Sequence, residues 1–350
     1  MGTRREAGVG KWALDRGHAL KSGHSTGAGV GKWALDGVGT GSGLHRGVGR
    51  VETGNGSPWA RHLCESGRMP RPYSSFTLVT DPAEATSRFS DLVAREPEAL
   101  SVLASVTGAL VADQSRYVSP RWWAATDASG TAVGAFMHTP PHPLHIALAT
   151  VDEARDLAAL LADAGDRLPG VGGLRRPAGA FADEWSARTG ATSRIAMEVG
   201  RFDLPTRPRL PFEVSGSFRL ATVADTALVD EWHQQFVDAI EGGGRAANSL
   251  DRHIADGRVG LWEHAMRTVS MAYASPANGR VTRISGVWTP PELRGHGYAS
   301  GVVAALSTAR LDAGEACILY TDLANPTSNA IYRAMGYRRV GDSVTIAFDV

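Results

Sequence analysis

From Phe76 onward, apolar and polar positions alternate in blocks that read as short helices and strands. Pro82–Leu92 and Pro97–Val111 read as helices, the second with apolar residues at Leu100, Leu103, Val106 and Leu110. Trp122–Ala125 and Ala132–His138 read as strands, separated by the turn Asp127-Ala128-Ser129-Gly130, and Leu144–Ala149 as a third. A helix over Asp152–Ala164, a strand at Gly170–Leu174, a helix around Phe181–Thr189 and a strand at Arg194–Phe202 complete this stretch. Leu204–Pro211 holds Pro205, Pro208 and Pro211 and reads as an extended linker.

After the linker the same order of elements returns. Phe218–Leu220 is a short strand, and helices are expected over Asp225–Ile240 and about Ala246–Asp256. Gly260–Glu263, Thr268–Ala274 and Arg280–Trp288 read as a three-stranded meander turning at Pro276-Ala277-Asn278-Gly279. A helix (Gly297–Ala313), a strand (Ala316–Tyr320), a helix (Ser328–Met335) and a terminal strand pair (Tyr337–Val340, Val344–Phe348) follow. The simplest account is an α/β chain of two similar mixed-sheet halves, 72–204 and 212–350, joined at 205–211.

Residues 1–71 break this patterning. They are Gly-rich, and Ala7-Gly8-Val9-Gly10-Lys11-Trp12-Ala13-Leu14-Asp15 recurs unchanged from Ala28 to Asp36. So little apolar surface cannot offset the ordering entropy of so many glycines, and disorder is expected. A start at Met69 is the alternative account of this segment. The Gly-Val-Gly-Lys strings do not complete a nucleotide loop, because Thr26 stands at its first glycine and Trp33 at its Ser/Thr position.

Composition narrows the function classes. Formal net charge is zero over 350 residues, so no global field favours nucleic acid or an anionic membrane. The two cysteines, Cys64 and Cys317, form no spaced motif, and no apolar run reaches bilayer-spanning length. A cytoplasmic protein without nucleic-acid or membrane partners is expected. His138, His142 and His145 are interrupted by Pro140, Pro141 and Pro143 and have no carboxylate or thiol among them, so no metal site is expected.

The informative stretch runs from Val287 to Ala299: Val-Trp-Thr-Pro-Pro-Glu-Leu-Arg-Gly-His-Gly-Tyr-Ala. A strand ends, and a glycine loop enters a helix whose unpaired N–H groups and dipole favour an anion. Gly295 and Gly297 allow close backbone approach, and Arg294 adds positive charge, so a pyrophosphate is the predicted ligand. A second stretch, Asn325 to Tyr337, places an Asn seven residues before Tyr332 and ends in Gly336-Tyr337. The R-G-x-G-x-A pattern followed by this Asn-to-Tyr stretch resembles motifs A and B of the GCN5-related N-acetyltransferases, over about 215–350.

That resemblance implies two acetyltransferase-like mixed-sheet domains in tandem, the first degenerate. It also implies acetyl-CoA as co-substrate, with no metal. Val287, Trp288 and Thr289 would pair with the pantetheine arm along a splayed strand, with an N–H near Val287 or Trp288 for the thioester oxygen. Arg294, Gly295, His296, Gly297, Tyr298, Ala299 and Ser300 would hold the pyrophosphate, and Asn325 would orient the cofactor arm. Tyr332 would be the acid that protonates the departing thiolate, with the amine attacking directly. Glu263 is a candidate base, as is Glu241, and a water chain is the alternative. Arg175 and Arg176 in the Gly-rich stretch of the first half lack the full pattern. The acceptor implied is a small-molecule or peptide amine, and the assembly a monomer with an internal pseudo-dimer or a homodimer. The rival reading is a non-catalytic acyl-CoA binding or sensing protein.

Overall fold

The computed structural model describes residues 75–241 and 249–349; the Gly-rich segment and the start of the expected helix at Ala246 lie outside them. The first half contributes β1 (Ser75–Val79), α1 (Pro82–Arg95), α2 (Ser101–Ala112), β2 (Arg121–Thr126), β3 (Ala132–His138) and β4 (Leu144–Leu148). It continues with α3 (Val151–Asp163), β5 (Gly170–Leu174), α4 (Arg175–Thr189) and β6 (Thr192–Leu204). The second half contributes β7 (Ser217–Leu220), α5 (Thr226–Glu241), α6 (Asp251–Ala255), β8 (Val259–His264), β9 (Arg267–Ala274) and β10 (Val281–Trp288). It ends with α7 (Tyr298–Asp312), β11 (Ala316–Asp322), α8 (Pro326–Ala334) and β12 (Arg338–Asp349).

Local chemistry sets many of these boundaries. Asp81 caps α1 by accepting from the Glu84 N–H at 2.8 Å, with Pro82 in the first turn, where its missing N–H costs nothing. Gly190 closes α4 in the left-handed conformation.

All twelve strands join one mixed sheet in the order β1-β2-β3-β4-β5-β12-β6-β11-β10-β9-β8-β7. The order is the same from either edge: five strands of one half, then the last strand of the other. β12 pairs antiparallel with β5 from Ser343↔Leu174 to Ala347↔Gly170, and β6 pairs with β11 from Leu204↔Cys317 to Val199↔Asp322. The two exchanged strands also pair with each other, Asp203↔Arg338 to Thr192↔Asp349.

Two features differ from the sequence reading. The expected strand pair at the C-terminus is one strand: Gly341-Asp342, which looks like a turn, lies beside a register shift between Arg339 and Gly341. The chain runs on there because β6 keeps pairing with it on the far side of the shift. The halves also do not close separate cores. Val344, Ile346 and Phe348 of β12 enter the core beneath α3 and α4, where Trp185 stacks between Phe181 and Phe348 at 6.1 and 5.7 Å. Reciprocally, Phe202 and Leu204 of β6 enter the core beneath α7. Burying one such phenylalanine is worth about 1.5–3 kcal/mol, so each half depends on the other's last strand. Helices α1, α2, α5 and α6 cover the opposite face of the sheet, over two further apolar clusters. Among the described residues, no helix is long and apolar enough to cross a membrane.

Candidate functional site

The expected splay is present in the second half. β10 and β11 are parallel, but their ladder runs only from Val281↔Ala316 to Ile284↔Leu319. Ser285–Trp288 and Tyr320–Asp322 continue without pairing to each other, leaving backbone groups of β10 open on that edge. The cause is a bulge: the β9 register shifts between Ser285 and Trp288, and Gly286 adopts φ +57°. A Cβ there would lie 2.1 Å from the Tyr273 ring, so only glycine fits. Sequence reasoning passed over Gly286, although an isolated glycine within a strand run is the usual mark of a bulge.

Beyond the splay, Thr289 and Pro290 are buried, and a short 3₁₀ turn (Pro291–Leu293) leads to Arg294. The Thr289 Oγ1 pairs with Ser270 Oγ at 2.8 Å, and Ser270 Oγ also donates to the Trp288 carbonyl at 3.0 Å. The Trp288 ring faces α5, donating to Gln235 Oε1 at 3.0 Å, so only its backbone faces the splay. Arg294 folds back on this strand end. Its Nε donates to the Thr289 carbonyl at 2.9 Å, and its guanidinium lies 5.2 Å from the Trp288 ring centroid.

Gly295 and Gly297 are both left-handed, at φ +85° and +80°. Gly297 is the cap residue of α7 and offers no side-chain hydrogen bond, and the first turn carries no acidic residue. A Cβ on Gly297 would meet Phe212 at 2.5 Å, so the close turn again requires glycine. Tyr298, buried at the first position of the helix, is flanked by His296 (5.3 Å, 10° between planes) and His264 (5.6 Å). His296 Nδ1 lies 3.2 Å from the Leu293 carbonyl, Ser300 is buried and Ala299 is half-buried. The start of α7 thus has N–H groups without a side-chain cap, behind the exposed Gly295 and His296 and next to Arg294, a donor set that fits an anion such as a pyrophosphate.

On α8, the Asn325 Oδ1 caps the helix by accepting from the Ser328 N–H at 3.1 Å. The neighbouring Asn329, absent from the sequence-based site, is buried and ties the loop together: its Nδ2 donates to the Asp322 and Asn325 carbonyls at 2.9 and 2.7 Å. Its signal was the same Asn-rich stretch that carries Asn325. Tyr332 is half-buried and meets Tyr337 edge-on at 5.9 Å, and its hydroxyl makes no hydrogen bond among the described residues. Burial pushes its pKa up to about 12, which keeps the phenol protonated at neutral pH. Cys317 is buried, and burial pushes its thiol up to about 12, so it is no thiolate nucleophile.

Glu263 is engaged elsewhere: its Oε1 accepts from Arg219 Nε at 2.7 Å, and the same guanidinium forks onto Asp225 at 2.8 Å. This is a structural ion pair joining β7, β8 and the entry to α5. The Glu241 side chain lies outside the described residues. In the first half, Arg175 follows β5 directly, opens α4 and pairs with Glu198, and Arg176 is the second residue of that helix, so neither stands on a glycine loop. Among the described residues, no cluster of His, Cys, Asp and Glu is placed to hold a metal.

The model of the FR47-like protein family matches residues 258–346, the segment from β8 through β12 that contains the splay, the glycine loop and Tyr332. A Drosophila protein of known X-ray structure superposes with a TM-score of 0.54 at 10% identity, over 79% of this chain and 99% of its own. A GCN5-related N-acetyltransferase from Sphaerobacter thermophilus superposes with a TM-score of 0.51 at 14% identity, over 77% of this chain and 94% of its own. No curated protein matches the sequence. The chain has the fold of the GCN5-related N-acetyltransferase superfamily.

Proposed function

We propose that this chain, built on the GCN5-related N-acetyltransferase fold, transfers an acetyl group from acetyl-coenzyme A to an amine, using the splay of β10 and β11. The observation that carries the reading is the junction of three features: a bulged strand with a free edge, an uncapped helix N-terminus behind two left-handed glycines, and an unpaired, protonated Tyr332. Bound there, acetyl-coenzyme A would supply an acetyl group activated as a thioester. The α7 N–H groups and Arg294 would hold its pyrophosphate. The open backbone edge at Ser285–Trp288 would align its extended arm as an added strand and offer N–H donors to the thioester oxygen. Asn325 would fix the loop that follows β11 and so the approach of the arm. Tyr332 would hold a proton for the departing sulfur.

No base is needed among the groups engaged in ion pairs. Arg219 occupies Glu263, and deprotonation of the incoming ammonium falls to water or to a group of the acceptor side. The test is release of free thiol from acetyl-coenzyme A across a panel of primary amines. Acceptor-dependent release, lowered in Tyr332→Phe, supports transfer. Tight coenzyme A binding without release on any amine supports the sensing alternative instead.

A further inference from the structure

On the sheet face opposite α7, the first and second halves meet over the last rung of the β10–β11 ladder. Ile284 and Leu319 form that rung and point into the core beneath α7. Their neighbours Arg283 and Tyr320 therefore point to the other face, by the alternation of a strand. Arg283 lies with its guanidinium 5.9 Å from the Tyr320 ring centroid and its Nη1 3.5 Å from Ser101 Oγ, at the first position of α2. Tyr320 OH lies 3.3 Å from the same Ser101 Oγ. Arg201 sits across the β6–β11 pairing from Tyr320. The β9–β10 turn locks this arrangement, with Asn278 Nδ2 donating to the Pro97 carbonyl at 3.1 Å just before α2.

The charge balance here is incomplete. Arg201 and Arg283 are both half-buried, and neither makes an ion pair among the described residues. Two other half-buried arginines are matched: Arg258 forks onto Glu315 and Arg219 onto Asp225. The α2 N-terminus that reaches the cluster has no side-chain cap and no acidic residue in its first turn, which adds to the positive side. The Glu98 carbonyl accepts from Tyr320 OH, and its carboxylate makes no ion pair among the described residues. On β4, the His145 Nε2 is buried without a hydrogen-bond partner. Burial first, and then the charges of Arg283 and Arg201, hold that ring down to about 4, so the uncompensated field reaches it. Two half-buried guanidiniums on one face, with no counter-charge among the described residues, favour an anion beside them.

We propose that Arg201 and Arg283 anchor a carboxylate of the acceptor, so that the substrate is a small amine that also bears a carboxylate group. Two planar guanidinium forks match the two oxygens of a planar carboxylate. The position suits an acceptor: it flanks the point where the strands part, on the face away from the proposed pyrophosphate loop. The first half gains a role by this account, because Ser101 and the α2 N-terminus form part of the wall.

This inference rests on the acetyltransferase reading, and the experiment separates the two. The purified chain is first titrated with coenzyme A. It is then assayed with acetyl-coenzyme A against the twenty amino acids and, for each, its carboxamide. The expected result is coenzyme A binding, and for the best acceptor a kcat/KM at least tenfold higher for the acid than for its amide. In Arg283→Gln and Arg201→Gln that preference collapses toward one, through KM for the acid, while KM for acetyl-coenzyme A stays within twofold and shows that the fold is kept. Coenzyme A binding with equal or better turnover of amides, with no turnover of any acid, or with an acid preference that survives both substitutions overturns the carboxylate anchor and leaves the cofactor site standing. Absence of coenzyme A binding overturns the cofactor reading, and this inference with it.

Discussion

Two helices leave the sheet at matching places in the two halves, and their N-termini are built for opposite ends. α3 follows β4 after two residues. Thr150 accepts from the Glu153 N–H at 3.2 Å, and the Glu153 carboxylate reaches back to the Thr150 N–H at 2.7 Å, closing a capping box. Asp152 and Glu153 put negative charge on the positive pole of the helix. α7 follows β10 after a long loop and has none of this: glycine caps it, no acid enters its first turn, and Arg294 stands beside it. The first arrangement satisfies its own donors and repels anions. The second leaves donors for a ligand.

The strands in front differ in the same sense. β4 and β5 pair to Ile146↔Gly173 and end two and one residues later. β10 and β11 run on for four and three residues beyond their last shared rung without pairing to each other. A matching order of elements need not carry matching sites. One half keeps the opening, and the other closes it and contributes a strand and a helix end.

Substitutions at the two helix starts should separate the roles. Arg294→Glu has the largest expected effect: it reverses the charge at the α7 loop and removes the bond to Thr289, and coenzyme A affinity should fall at least a hundredfold by calorimetry. Tyr332→Phe should lower kcat by about two orders of magnitude, in the range for loss of a general acid, with little change in coenzyme A affinity. Gly297→Ala forces a Cβ against Phe212 in a left-handed position, and should cost about 1–3 kcal/mol of stability by denaturant titration, together with weaker cofactor binding. At the other helix, Thr150→Ala should cost about 1 kcal/mol of stability and leave coenzyme A affinity unchanged.

A pH series gives the smallest, most distributed effect. Burial holds His138, His145 and His253 down to about 4, against an ordinary value near 6.5. Each is neutral in the folded state at pH 6, while the unfolded chain binds the proton. Stability present above about pH 6.5 should therefore be lost progressively as the pH falls toward 4, as followed by thermal melts.

Much of this was legible from residue order. The strand and helix patterning gave nearly every described element, because amphipathic periodicity is a local property. The α7 loop was legible for a similar reason: glycines, an arginine and a helix start lie within a few residues. What the sequence hid was long-range. Nothing local in Thr192–Leu204 or Arg338–Asp349 says which half each strand will complete. Gly341-Asp342 resembles a turn until β6 is seen pairing on both sides of it. Glu263 looked available as a base because Arg219, 44 residues away, was not in view. The bulge at Gly286 depends on the Tyr273 ring from the adjacent strand. The Arg201–Arg283 pair joins residues of both halves that no spacing rule connects.

The most direct test of the central claim is the stoichiometry of coenzyme A binding to the intact chain by titration calorimetry. One molecule bound per chain, lost in Arg294→Glu and retained in Thr150→Ala, is the result this account predicts. Two molecules per chain, or binding that persists undiminished in Arg294→Glu, would contradict it.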